Sequence, residues 1–249
     1  MLLKHEVAYV LGQMKDGYAV ETLLTVLSDE DEDVMVRHEA GEALGAIGEP
    51  RALDALRKYA AHENEVIAET CELAVALIEW ATSEEGKAEA AAGVLDANPY
   101  LSVDPAPPAP ASLGVDEHAA KLQDKDAPLF ERYRALFALR NNGSDPAIQA
   151  ICDAFDDASA LFRHELAYVL GQIQSPLAVD ALSTVLKDAD EHCMVRHEAA
   201  EALGSIADDA CLPILQTHAG DEQRVVSESC QVALDMAEYE NSGAFEYVQ

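Results

Sequence analysis

Four histidines in this chain each follow a basic residue and precede a glutamate: His5–Glu6 in LLKHEVAYVLGQM, His38–Glu39 in MVRHEAGEALGAIGE, His164–Glu165 in LFRHELAYVLGQI and His197–Glu198 in MVRHEAAEALGSIAD. His5 and His38 stand 33 residues apart, as do His164 and His197, and the second pair lies 159 residues beyond the first (164 − 5 = 197 − 38 = 159). Neutral imidazole nitrogen and carboxylate oxygen are donors that first-row transition metals accept, and two histidines with a carboxylate leave positions open for substrate or dioxygen, as in non-haem iron sites. Each half of the chain therefore offers two imidazoles and at least one carboxylate to a metal. The zinc-protease pattern HExxH is absent, because the residue four positions after each histidine is Tyr9, Glu42, Tyr168 or Glu201. Five cysteines (71, 152, 193, 211 and 230) form no CxxC, which argues against a thiolate-rich zinc site, and their odd number argues against a disulfide framework.

Repeat ancestry alone can duplicate a residue, and alanines, leucines and glycines recur here too. His62–Glu63 shows how little one dipeptide means: no basic residue precedes it, it is out of phase, and its counterpart 159 positions on is Asp221. His62, His118, His192 and His218 are accordingly read as ordinary residues. The periodic four are distinguished by equivalence of position.

The elements that must present them are helices. Around the first motif Leu3, Val7, Val10, Leu11 and Met14 recur at spacings of three and four, and Gly12, Gly45, Gly171 and Gly204 fall near the expected helix ends. A period near 33 holding two helices predicts stacked helical hairpins, each burying its apolar face against its neighbours. In such a stack, equivalent positions of successive repeats project side by side from helices about 8 to 10 Å apart, so His5 neighbours His38 and His164 neighbours His197. The offset persists through a third repeat, joining ETCELAV at 69 to ESCQVAL at 228 and Trp80 to Tyr239. The expected fold is all-α, with HEAT-like repeats in two solenoid halves: residues 1–81, a proline-rich linker over 82–116, and residues 117–249. The linker holds Pro99, Pro105, Pro107, Pro108 and Pro110 and is expected to run as an extended tether. The second half carries an additional hairpin over 130–157 whose counterpart would precede Met1, so the first half is read as one repeat short.

Acidic residues outnumber basic ones by 47 to 16, a formal charge of −31, and this field disfavours nucleic acid while favouring a cationic ligand, a basic protein segment or a metal ion. No apolar run approaches the roughly 18 residues of a membrane span. A soluble, cytoplasmic protein with no membrane or nucleic-acid partner is expected.

The strings KHEVAYVLGQM, MVRHEAGEALGAIG, PYLSVDPAPP, LFERYRALFALRN, LFRHELAYVLGQ and MVRHEAAEALGSIAD closely resemble the deoxyhypusine hydroxylase family over essentially the whole chain. The resemblance implies HEAT-like repeats in two halves clasping a di-iron centre. It implies a monooxygenase that uses dioxygen and an unidentified electron donor to hydroxylate the deoxyhypusine side chain of a eukaryotic translation initiation factor. On the same ground His5, His38 and Glu39 are assigned to one iron, His164, His197 and Glu198 to the other, and Glu6 and Glu165 to the cationic substrate. The alternatives are a non-catalytic HEAT-repeat scaffold for a basic protein and a hydrolase using two other divalent ions.

Overall fold

A computed structural model of the chain describes residues 1–95, 98–110 and 112–242. Positions 96, 97 and 111 of the expected linker and 243–249 of the expected second half lie outside the described residues. Among the described residues the regular structure is helical, with no strand, and no helix is long and apolar enough to cross a membrane. The helices are α1 (Leu2–Met14), α2 (Val20–Ser28), α3 (Val34–Ile47), α4 (Leu53–Tyr59), α5 (Glu65–Thr82), α6 (Glu84–Ala91) and α7 (Val115–Gln123). They continue with α8 (Leu129–Asn142), α9 (Asp145–Cys152), α10 (Ala160–Ile173), α11 (Val179–Lys187), α12 (Cys193–Ile206), α13 (Leu212–His218) and α14 (Arg224–Ser242). The contacts divide the chain into two compact units, Met1–Asn142 and Gly143–Gln249.

Local chemistry sets the helix ends. Asp33 opens α3 by accepting the amide hydrogen of Met35 on its carboxylate, Ser159 opens α10 by accepting from Phe162, and Asn64 opens α5 by accepting from Ile67. His192 does the same for α12, its Nδ1 accepting from the Met194 amide at 3.3 Å, so this histidine is a helix cap in the position that Asp33 holds in the first unit. Helices α1, α3, α10 and α12 all end on a left-handed residue, but only one of the four is a glycine: Lys15 at φ 53°, Gly48 at 76°, Gln174 at 54° and Ala207 at 53°.

The four periodic glycines lie within the helices rather than at their terminators. In the first unit α1 packs on α3 and α3 on α5; in the second α10 packs on α12 and α12 on α14. A Cβ on Gly12 would stand 2.8 Å from the Ala43 Cα, and one on Gly45 would stand 2.9 Å from the Ala74 Cα. The duplicated contacts are as tight, with Gly171 at 3.0 Å from the Ala202 Cα and Gly204 at 2.7 Å from the Ala233 Cα. Glycine is required there because two helix backbones touch. Apolar side chains fill the rest of each unit: Leu23, Leu27, Leu44, Leu56, Ile67 and Ile78 in the first, and Leu170, Leu182, Leu186, Leu203 and Leu215 in the second, are fully or almost fully buried.

The proline-rich segment does not behave as the free tether that its composition suggests. Gln13 on α1 donates to the Val103 carbonyl at 3.1 Å and accepts from the Val103 amide at 2.7 Å, and the Ala109 amide bonds the Arg134 carbonyl at 2.8 Å. Asp104 grips Arg140 through two bonds of 2.8 and 2.6 Å, while Ser102 and Asn98 bond the same carboxylate. Arg140 is fully buried, and its guanidinium lies over the rings of Tyr100 and Phe137, at 4.9 and 4.7 Å from their centroids. Residues 98–110 are thus a strap fastened to the first unit. The two helices of the hairpin expected over 130–157 are α8 and α9, and the boundary between the units falls between them.

Two outcomes test this packing. A helical glycine changed to alanine ordinarily gains stability, but Gly204→Ala is expected to lower the stability by about 1–3 kcal/mol through overpacking; a raised melting temperature would contradict the backbone contact. Asp104→Ala removes the carboxylate that pairs with the buried Arg140 guanidinium, with an expected loss of about 3–5 kcal/mol in urea denaturation.

Candidate metal centre

The basic residue before each histidine anchors the helix that carries it. Arg37 and Arg196 each reach back ten residues with Nε, to the carbonyls of Leu27 and Leu186 at 3.0 Å, and so close the C-terminal turns of α2 and α11. Arg196 also forms a two-point pair with Asp221 at 3.1 and 2.5 Å, which holds the Asp221 carboxyl below the usual range. Lys4 pairs with Glu32 at 2.5 Å, and its counterpart Arg163 pairs with Glu191 at 2.6 Å. These cations therefore steady the scaffold, each with an acidic or carbonyl partner of its own.

With the helices so registered, the sequence-assigned residues of each unit converge. In the first, the rings of His5 and His38 have centroids 5.8 Å apart, and the Glu39 Oε2 lies 3.1 Å from His5 Nε2 and 3.6 Å from His38 Nε2. In the second, the rings of His164 and His197 are 5.7 Å apart, and the Glu198 Oε2 lies 3.2 Å from His164 Nε2 and 3.5 Å from His197 Nε2. All six side chains are buried, with His38 and His197 at 0% exposure. The remaining two glutamates depart from each other: Glu6 is half exposed and its Oε1 stands 3.0 Å from His5 Nδ1, whereas Glu165 is buried at 2% exposure. Burial opposes the charged form of His5, but the carboxylates of Glu39 and Glu6 outweigh it and push the imidazole well above its usual value.

Further polar groups stand behind these histidines. His38 Nδ1 lies 3.3 Å from Thr70 Oγ1, and His197 Nδ1 lies 3.0 Å from Ser229 Oγ and 3.1 Å from Glu201 Oε1. Thr70 and Ser229 are equivalent under the duplication (229 − 70 = 159), as are Glu42 and Glu201 (201 − 42 = 159). The one signal for the hydroxyls was the match between ETCELAV and ESCQVAL, which assigns them no role by itself. The histidines set aside as ordinary have local partners: His62 Nδ1 accepts from the Asn64 amide at 3.0 Å and His218 Nδ1 meets the Ile214 carbonyl at 3.0 Å. His118 is buried, and that burial lowers its basicity. The cysteines are free thiols, and burial pushes Cys71 and Cys230 up to about 12.

The donor set fits a metal ion. Ligand atoms held about 2.1 Å from one ion stand roughly 3.0 to 3.4 Å apart at octahedral or tetrahedral angles, close to the imidazole–carboxylate separations in both units. His164, His197 and Glu198 present ligand atoms all within 4.8 Å of one another. Two imidazoles and one carboxylate, with no thiolate among them, suit iron or a similar first-row metal.

The fold and the paired centres define the class: a helical-repeat protein with a His–His–Glu set buried in each of two duplicated units. HEAT repeats as a family match residues 2–76 and 148–235, and the PBS lyase HEAT-like repeat matches residues 131–157. The chain is 54% identical over 246 residues to deoxyhypusine hydroxylase of Danio rerio, covering 99% of this chain and 79% of that protein. It is 53% identical over 254 residues to the Candida albicans deoxyhypusine hydroxylase, covering 99% and 77%. The solved structure of human deoxyhypusine hydroxylase in complex with glycerol superposes with a TM-score of 0.89 at 53% identity, over 96% of this chain and 80% of that one. This chain belongs to the deoxyhypusine hydroxylase family.

A metal seated in these centres must stabilise the folded state, by about 2.7 kcal/mol at a free concentration a hundredfold above its dissociation constant. Ferrous iron added anaerobically to metal-free protein is expected to raise the melting temperature, and the combined His38→Ala and His197→Ala changes are expected to abolish the rise. An unchanged melting curve in the unaltered protein would count against both centres.

Proposed function

We propose that this chain is a di-iron monooxygenase that hydroxylates the deoxyhypusine side chain of a eukaryotic translation initiation factor, forming hypusine. The observation that carries this reading is the buried His–His–Glu set, built twice on one template in a member of this family. One iron would be held by His5, His38 and Glu39 and the other by His164, His197 and Glu198. Bound iron would supply activation of dioxygen for attack on an unactivated C–H bond. One oxygen atom would enter that bond and the other leave as water, a balance that takes two electrons from an external donor and two protons from solvent.

The protein's own contribution is placement. Burial of the six side chains keeps bulk water from the donors. Glu6 and Glu165 are assigned to the cationic aminobutyl arm, since a carboxylate pairs strongly with an ammonium group. The formal charge of −31 draws in a lysine-bearing carrier segment and repels nucleic acid. In this reading the enzyme is cytoplasmic, and each of the units Met1–Asn142 and Gly143–Gln249 carries one centre.

Elemental analysis of correctly loaded protein is expected to give about two irons per chain, as two centres of this ligand type require. Glu39→Ala and Glu198→Ala should lose iron first, whereas Glu6→Ala and Glu165→Ala should retain it and lose binding of a deoxyhypusine-bearing peptide. Equal iron loss in all four variants would reject this division of roles, and failure of the iron-loaded protein to hydroxylate the peptide would reject the activity.

A further inference from the structure

We propose that Thr70 and Ser229, on the third repeat helix of each unit, are positioning residues that fix the tautomer of His38 and His197 and so commit Nε2 of each ring to the metal. The inference rests on the reading of the two centres as metal sites, but its argument is one of proton bookkeeping among groups already in place. A hydroxyl has a single hydrogen. Thr70 spends it on the Val66 carbonyl, 2.7 Å away in the preceding turn of α5. Towards His38 Nδ1, at 3.3 Å, the Thr70 oxygen can then only accept, so Nδ1 must carry the ring hydrogen. The lone pair of the neutral imidazole is left on Nε2, the atom that faces the Glu39 carboxylate.

The second unit reaches the same result by a different route. Ser229 gives its hydrogen to Glu201 Oε1 at 3.0 Å and receives from His197 Nδ1 at 3.0 Å, and the same carboxylate oxygen stands 3.1 Å from Nδ1. Two acceptors stand at Nδ1, so it again carries a ring hydrogen and leaves Nε2, which faces Glu198, to donate its lone pair to a metal. Thr70 and Ser229 are 2% and 0% exposed and His38 and His197 0%, so bulk water does not reach either pair. Two independent copies of one position, with different hydrogen-bond wiring, specify the same tautomer.

Groups of this kind behind a ligating imidazole typically change metal affinity by about 10- to 100-fold. Thr70→Val keeps the shape and removes the acceptor, and Ser229→Ala removes one oxygen. Each is expected to weaken ferrous iron binding by about 10- to 100-fold in chelator competition on the full chain, while Thr70→Ser and Ser229→Thr retain the affinity. The tautomer is read without any metal: nitrogen-15 NMR of the metal-free protein is expected to show the Nδ1–H form at His38 and His197, and a mixed or Nε2–H form in Thr70→Val and Ser229→Ala. Should either of these variants melt early, the spectra and affinities of Thr70→Ser and Ser229→Thr still decide the case, since they keep an acceptor and must match the unaltered protein. An Nε2–H form in the unaltered protein, or unchanged spectra and affinities in Thr70→Val and Ser229→Ala, would overturn the inference while leaving the metal centres standing. No iron binding by the unaltered protein would remove the centres themselves, and the proposed role with them.

Discussion

The contact on which each unit depends is a helix backbone touching the next one at glycine. Gly12, Gly45, Gly171 and Gly204 each lie seven residues after one of the four periodic histidines, two helical turns along the same face. The approach of Gly12 to Ala43 and of Gly171 to Ala202 draws together the two helices that carry each pair of imidazoles, and the approach of Gly45 to Ala74 and of Gly204 to Ala233 draws in the third helix behind them. Ring centroids 5.8 and 5.7 Å apart follow from that separation, because a side chain of histidine length can bridge the gap only when the axes lie close. A Cβ at Gly12 or Gly171 would push apart the two helices whose histidines meet one carboxylate, and a Cβ at Gly45 or Gly204 would push the second of them away from the helix that carries Thr70 or Ser229. The convergence of two imidazoles on one carboxylate is in this sense a property of helix spacing before it is a property of the side chains that converge.

Much of this was visible in the letters. The 33- and 159-residue offsets single out His5, His38, His164 and His197 among eight histidines, and the three-and-four spacing of apolar residues predicts the hairpins that bring them together. The glycines illustrate where such reading stops: a terminator and a close backbone contact both demand glycine, and only the structure shows that three of these helices end on Lys15, Gln174 and Ala207 instead. Thr70 and Ser229 were hidden for another reason. A hydroxyl in an apolar repeat is unremarkable until its partner is known, and that partner lies 32 residues away. The strap at 98–110 was misjudged by composition, since prolines suggest an extended run while the residue that fastens Asp104 is Arg140, 36 positions further on.

Duplication has kept the frame of each unit and relaxed its details. A carboxylate caps α3 where an imidazole caps α12; a lysine holds Glu32 where an arginine holds Glu191; Glu6 is half exposed where Glu165 is buried. Throughout, the distances from Nε2 to the bridging carboxylate oxygen stay between 3.1 and 3.6 Å. Positions whose geometry is fixed by the donors have stayed the same, and positions whose task is only to satisfy a backbone group or a charge have been free to drift among residues of equivalent chemistry.

The fastening of the proline-rich strap has a consequence for taking the protein apart. Repeat proteins are commonly divided at such segments on the assumption that whatever lies on either side is a separable module. Here a cut after Asp104 would part that carboxylate from the α8 helix that carries Arg140, a cut before Val103 would part Val103 from Gln13, and either would part Glu89 from Arg134. In both cases the N-terminal fragment would lose the helices α7 and α8 that belong to its own unit. Proteases and protein engineers alike meet a stretch that reads as a hinge and behaves as a seam.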